Sequence, residues 1–180
     1  MIDEALLIEQ LKNVRTKEKA FRVLMTQYKE RLYWHIRKIV ISHDDADDVL
    51  QNTFIKIFKN IDKFNEQSKL YSWMYRIATN ESITFINKRA KQRNVDIDDY
   101  HQQLASTLES DVYFSGDEIQ LILQKAIATL PQKQQLVFNM KYFDEMKYTD
   151  ISEILDTSVG ALKASYFHAV KKIEKFLKSH

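Results

Sequence analysis

The chain has 180 residues with Gly 2, Pro 1 and Cys 0. That composition excludes disulfide scaffolds, thiolate metal sites and cysteine nucleophiles, and it disfavours hairpin-rich folds, whose tight turns draw on glycine. The net charge of +2 hides an uneven distribution: from Asn94 to Glu118 the charged residues are Asp96, Asp98, Asp99, Glu109, Asp111, Asp117 and Glu118, with no lysine or arginine among them. The rest of the chain is therefore basic, which suits an anionic partner. On charge alone, a solvated linker between ordinary surfaces is the simpler reading. There is no apolar run long enough for a membrane span and no leader with a basic start and an apolar middle, so a soluble, cytoplasmic protein without membrane insertion is expected.

In chain order, a short helix is expected around Leu6 to Val14. A long one follows over 17–41, where Ala20, Phe21, Leu24, Met25, Tyr28, Leu32, Ile36 and Ile39 recur at three- and four-residue steps. Ser42 and Asp44 are candidate caps for a helix over 44–60, with Ala46, Val49, Leu50, Thr53, Phe54, Ile57 and Phe58 as its apolar stripe. The polar stretch NIDKFNEQSK, 60–69, has no period and predicts a loop. Ser68 is placed to cap the next helix, about 69–90, which buries Leu70, Met74, Ile77, Ala78 and Phe85. Residues 94–115 sustain no period and predict a linker with room for one short helix. Beyond it, Ile119, Ile122, Leu123, Ala126, Ile127 and Leu130 mark another helix. Pro131 fits the first turn of the one after, which continues through Leu136, Val137, Met140 and Phe143.

The stretch TDISEILDTSVGALKASYFHAVKKI, 149–173, reads as two helices joined by a short turn, a helix-turn-helix. Thr149 is a candidate cap for the first helix, 150–155, and Ser158 for the second, about 159–178. Asp156 is the candidate for the positive-φ turn position, and Gly160 suggests a close backbone approach. Successive residues 100° apart place Leu162, Tyr166, Ala169, Val170, Ile173, Phe176 and Leu177 on one arc of about 120°. The opposite arc carries Ala164, Phe167, His168, Lys171, Lys175 and Lys178, with Lys163 at its edge. Lysines there neutralise phosphates. Lys163, Ala164, Phe167 and His168 lie near the end of the helix from which base edges are reached. A surface helix whose last lysines favour its dipole accounts for the same lysines equally well; Phe167 on the polar face favours DNA.

From LPQKQQLVFNMKYFDEMKYTDISEILDTSVGALKASYFHAVKKI at the C-terminal end, and from DADDVLQNTFIKIFKNIDKF followed by SWMYRIATNESITFINKRAKQR upstream, the chain resembles a bacterial sigma factor of the sigma-70 family, extracytoplasmic-function group. The resemblance implies an all-α fold of two small helical domains joined by a flexible acidic linker, with a C-terminal helix-turn-helix: 1–93 as the region 2-like domain, 94–116 as linker, 117–180 as the region 4-like domain. It implies core RNA polymerase and promoter DNA as partners, and an anti-sigma factor as inhibitor. Polymerase docking carries over to Asp47, Asp48, Gln51, Asn52, Ile55 and Lys56, opposite the apolar stripe of their helix. Helix-dipole stabilisation accounts for Asp44 and Asp45 without a partner, but not for an exposed Ile55. Reading and melting of the −10 element carries over to Phe64, Asn65, Ser68, Tyr71, Tyr75, Arg76, Asn80, Lys88 and Arg89, where aromatics would stack on unpaired bases and cations would track the backbone. Trp73 is assigned to the core. Reading of the −35 element carries over to Ser158, Lys163, Ala164, Phe167, His168 and Lys171. Asp156, Ser152, Ala164, Ser165 and His168 depart from residues common in the family, so a −35 preference does not transfer.

A dimeric helix-turn-helix regulator with a helical N-terminal domain is the alternative. No enzyme is expected: the five histidines (35, 43, 101, 168, 180) have no metal-ligand spacing, and no phosphate loop or nucleophile with a base is present. No catalytic residue, metal, cofactor or small-molecule substrate is implied.

Overall fold

The computed structural model describes residues 3–110 and 118–179, and every regular element in them is helical. In order these are α1 (Glu4–Lys12), α2 (Lys17–Val40), α3 (His43–Asn60), α4 (Leu70–Gln92), α5 (Ile97–Ala105), α6 (Glu118–Ala128), α7 (Gln132–Tyr142), α8 (Tyr148–Leu155) and α9 (Val159–Lys178), with 3-10 turns at Ile61–Lys63 and Ser106–Ser110. The all-α expectation is met.

Caps set several of the helix starts. Asp3 accepts the Ala5 N–H at 3.0 Å, Ser42 accepts the Asp45 N–H at 3.4 Å, and Ser158 accepts the Ala161 N–H at 3.3 Å. Each relieves an amide that the helix leaves unpaired. The expected caps Ser68 and Thr149 do not form: α4 starts behind Lys69 and α8 behind Lys147, both extended residues without a side-chain cap bond. Asp156 takes the left-handed conformation expected of it, φ 50 and ψ 49, and its N–H bonds back to the Ser152 carbonyl. Gly160 has no close neighbour: a Cβ built there meets nothing within 4 Å, so no backbone approach depends on it.

α2, α3 and α4 pack on one another through Leu24, Leu32, Ile36, Val49, Phe54, Ile57, Leu70, Met74 and Ile86, with Leu7, Ile8 and Leu11 of α1 added along α2. A second cluster joins Ala126, Ile127, Leu130 and Phe138 to Ala169 and Ile173 of α9. The larger core does not end at α4. It runs on through Val137, Met140, Met146, Ile151, Ile154 and Leu162, so α7 lies on α2 and α8 lies on α4.

The first part of the expected linker is ordered as α5. Tyr100 and Leu104 join the larger core, while Ala105 and Leu108 meet Ala128. Residues 111–117, with Asp111 and Asp117, lie outside the described residues.

Phe64 corrects the sequence reading. Expected near the pocket for an extruded base, it is buried, with Trp73 tilted against it at 5.3 Å between centroids and the Lys12 ammonium 5.8 Å from its ring. The 3-10 turn is the cause: the Phe64 N–H returns to the Ile61 carbonyl and drops the ring beneath α1. Trp73 is partly buried against the same core.

Candidate nucleic-acid interface

α9 divides as its periodicity requires. Leu162, Ala169 and Ile173 are buried, whereas Lys163, Ala164, Phe167, His168 and Lys171 are exposed along the opposite side. Phe167 is 54 % exposed, a large apolar ring held in water. Its neighbours steady it: the Lys171 ammonium sits 4.6 Å from the ring centroid, and the His168 ring meets its edge at 5.7 Å. The Lys163 ammonium lies 5.9 Å from the Tyr148 ring. A cation over an aromatic face keeps both groups oriented. Ser158, exposed at the start of the helix, is already engaged as the cap.

The strip on α4 is arranged differently. Asn80, Lys88 and Arg89 are exposed as expected. Arg89 reaches Asp45 at 3.3 Å and covers Phe85 at 5.0 Å. Tyr71 is half-buried beneath the Arg31 guanidinium, 5.3 Å from its ring. Burial pushes its hydroxyl up to about 12, with Arg31 opposing. Tyr75 corrects the expectation of an exposed residue: it is 2 % exposed, with Tyr71 at 4.5 Å and His35 at 4.8 Å between centroids. Burial raises its hydroxyl further still. The reason is α2, whose His35 lies against the ring, with Phe143 and Asp144 beside it. Arg76 turns both Nε, at 3.0 Å, and Nη2 onto the Glu153 carbonyl of α8. In the loop before α4, Asn65 is exposed and accepts the Gln67 N–H at 3.3 Å, and Ser68 is half-buried.

On α3, Asp47, Asp48, Gln51, Asn52, Ile55 and Lys56 are all exposed. Ile55, 44 % exposed, is the apolar centre of that face. Lys56 is engaged by Glu81 of α4. Beside this face, α2 and α3 enclose a groove of about 770 Å³ lined by Phe21, Met25, Leu50, Phe54, Ile55 and Phe58, with Asp47 and Asp48 among the polar residues at its walls. Its walls mix Glu18, Asp47 and Asp48 with Arg22, Lys29 and Lys59, and its apolar floor suits an amphipathic helix.

A third cluster escaped the sequence reading. His35, 1 % exposed on α2, points Nδ1 at Asp144 Oδ2, 3.0 Å away, and Nε2 at the Thr79 hydroxyl, 2.8 Å away. Thr79 spends its own proton on the Tyr75 carbonyl at 2.7 Å and so accepts from Nε2. Lys38 also binds Asp144. Burial pushes the Asp144 carboxyl up, but the hydrogen bonds and charges of His35 and Lys38 outweigh it and hold the carboxyl below its ordinary value. Lys69 meets Asp150 at 2.8 Å. The available signal was a polar residue, His35, inside the apolar stripe between Leu32 and Ile36.

Among the described residues, no group of three or more His, Cys, Asp or Glu could hold a metal ion, and no helix is long and apolar enough to cross a membrane.

Two family models match: Sigma-70 region 2 over residues 24–92 and Sigma-70, region 4 over residues 120–173. The chain is 28% identical over 184 aligned positions to the ECF RNA polymerase sigma factor SigW of Bacillus subtilis, covering 97% of this chain and 98% of that one. It is 29% identical over 167 positions to the ECF RNA polymerase sigma-E factor of Haemophilus influenzae, covering 87% of each. Its fold is similar to that of the sigma factor RpoE from Bartonella quintana, solved in complex with the anti-sigma factor NepR, with a TM-score of 0.68 and 20% identity over 89% of this chain and 98% of that one. With both regions matched in order, on a helical scaffold whose last helix presents a basic, aromatic face, the chain belongs to the sigma-70 family of RNA polymerase sigma factors, in its extracytoplasmic-function group.

Proposed function

We propose that this chain binds core RNA polymerase and directs promoter-specific initiation of transcription, with 1–93 and 117–180 as its two working domains and 94–116 as the connection. The observation that carries the reading is the presence of regions 2 and 4 together on one chain. The exposed α3 face, with Asp47, Asp48, Gln51, Asn52, Ile55 and Lys56, docks on the polymerase, and the groove beside it supplies apolar area for that contact. The α9 face, with Lys163, Ala164, Phe167, His168 and Lys171, enters the major groove of the upstream element, and Ser158 fixes its leading end. Tyr71, Arg76, Asn80, Lys88 and Arg89 serve the −10 element, with Asn65 and Ser68 at the edge of the base site and the buried Tyr75 supporting that surface from within. Phe64 supports that loop from below rather than stacking on a base.

The protein works by binding, not by catalysis, and in the cytoplasm, where its polymerase is. An anti-sigma factor is its inhibitory partner, as NepR is for the Bartonella protein. A stand-alone dimeric regulator has no observation in its favour. The test is a pull-down from native cells on the tagged chain: recovery of core polymerase subunits supports the reading, and a chain that never recovers them contradicts it.

A further inference from the structure

Only Ile41 and Ser42 separate the end of α2 from the start of α3, the helix whose exposed face is assigned above to the polymerase. Ile41 makes this junction with φ 66 and ψ −43. Its own N–H returns to the Arg37 carbonyl at 2.9 Å, and the Ser42 N–H returns across it to the Val40 carbonyl at 2.8 Å, which closes a γ-turn of the rare, strained hand. Ser42 then runs extended and caps α3. The other described non-glycine residues with positive φ are Glu66, Asn94, Glu145 and Asp156. Ile41 alone among them is β-branched, and two heavy atoms on its Cβ crowd a conformation already costly for any side chain. Such a turn persists only where its surroundings hold it. Here they act through the side chain. Ile41 is half-buried and packs on two clusters at once, the main core and the patch formed by Ala105, Leu108 and Ala128. Leu108 belongs to the 3-10 turn after α5. On the other side of the junction, His43 opens α3. Its Nδ1 meets the Tyr33 hydroxyl of α2 at 2.6 Å, and its Nε2 faces Asp47 Oδ2 at 3.7 Å.

We propose that Ile41 is a positioning residue for polymerase docking: seated against Leu108 and Ala128, it holds the junction in its strained turn and so sets the direction in which α3 presents Asp47 and Asp48. This rests on the reading of the α3 face as the docking surface. Strain in the backbone and packing of the side chain balance each other. With the packing removed and a β-carbon kept, nothing offsets the strain, and the backbone relaxes toward negative φ. The leading turn of α3 moves with it, because a two-residue junction has no slack. With the β-carbon removed as well, positive φ carries no steric cost, and the turn stands without its support. The docking face is thereby made sensitive to the seating of the 3-10 turn that carries Leu108.

Ile41→Ala and Ile41→Gly separate strain from packing, since both lose the side chain but only glycine is at ease at positive φ. Affinity for purified core polymerase is measured on full-length chains by competition against dye-labelled parent. Ile41→Ala should bind core about fivefold more weakly than the parent, and Ile41→Gly within about twofold of it. Leu108→Ala, which touches neither the turn nor the docking face, should cost about fivefold in the parent and nothing in the Ile41→Gly chain, the non-additivity of sites that share one contact. A second arm needs no polymerase. The Ser42 amide, bonded to the Val40 carbonyl, should exchange its hydrogen faster in Ile41→Ala and in Leu108→Ala than in Ile41→Gly. A role in packing alone predicts the reverse order, with glycine the worst of the three. Core binding by Ile41→Ala equal to or tighter than by Ile41→Gly overturns the proposal, and so does an equal loss from Leu108→Ala in both backgrounds. Ser42 exchange that Leu108→Ala leaves unchanged overturns it as well, whether or not the Ile41 variants fold. A parent chain that never binds core counts against the proposed function, and the exchange arm still decides whether Leu108 holds the turn.

Discussion

His35 and Asp144, 109 positions apart, meet at 3.0 Å between α2 and the turn after α7. Lys38 completes the triad, and Thr79 fixes the far side of the imidazole at 2.8 Å. The Asp144 side chain is only 10 % exposed, so its removal leaves the largely buried Lys38 ammonium and the His35 ring without their acceptor. Asp144→Ala should therefore weaken the association of the two halves by about 3 kcal/mol. Calorimetry should show the single unfolding transition of the parent chain dividing into two. One unshifted transition would mean that the triad fastens nothing.

Acid should act at two places. The Asp144 carboxyl is held low by His35 and Lys38, so its contribution is complete above the ordinary aspartate value of about 3.9 and is lost as pH falls through the depressed folded value. His101 of α5 is buried, and burial lowers its value; Asp98 opposes, while the Ile39 carbonyl and the Gln135 side chain face the ring. Neither ring nitrogen has a well-formed hydrogen bond. The packing of α5 should be complete above about 6.5 and weaken as pH falls through that lowered value. Hydrogen exchange at Tyr100–Leu104 should rise in mild acid, ahead of exchange in α3, and His101→Gln should flatten that dependence. Uniform exchange across both helices would contradict the assignment.

Phe167 and His168 are exposed side by side with Lys171 at the ring. Phe167→Ala and His168→Ala should each change the ranking of upstream promoter sequences by about 1–3 kcal/mol. Lys171→Ala should weaken all sequences alike and lower the salt slope by about one. Binding titrations on a panel of promoter duplexes at several salt concentrations separate the two outcomes; equal losses on every duplex from all three substitutions would remove the reading face.

Gly160→Ala tests the turn. With open space at the Cβ position and a helical backbone, alanine should stabilise the C-terminal half by about 0.5–1 kcal/mol. A thermal melt that falls instead would show a role for the missing side chain.

The left-handed Asp156, the Ser158 cap and the divided α9 were legible because they are local: each follows from residue type and helical spacing within a turn or two. Tyr75 was not. Its ring is covered by His35 of α2 and lies beside Phe143 and Asp144, far along the chain, and no periodicity in α4 announces a second apolar side. Phe64 was hidden by its polar neighbours in the loop, since one apolar residue between turns carries no pattern. His35 was readable in principle, as a polar residue within a buried stripe, but its partner Asp144 was not. The exposed face of α3 is the converse case: Ile55 stands out in sequence, yet only the packed structure reveals the groove beside it.

The central claim is tested most directly by reconstituted transcription with purified core polymerase and promoter templates selected by the holoenzyme. The chain should form a stable complex with core and yield run-off transcripts that depend on both promoter elements. Asp48→Ala with Ile55→Ala should lower core affinity at least tenfold, about 1.4 kcal/mol or more, while the helix-turn-helix still binds duplex DNA. A chain that binds its duplex as a dimer, without core, and yields no transcript with it would contradict the account.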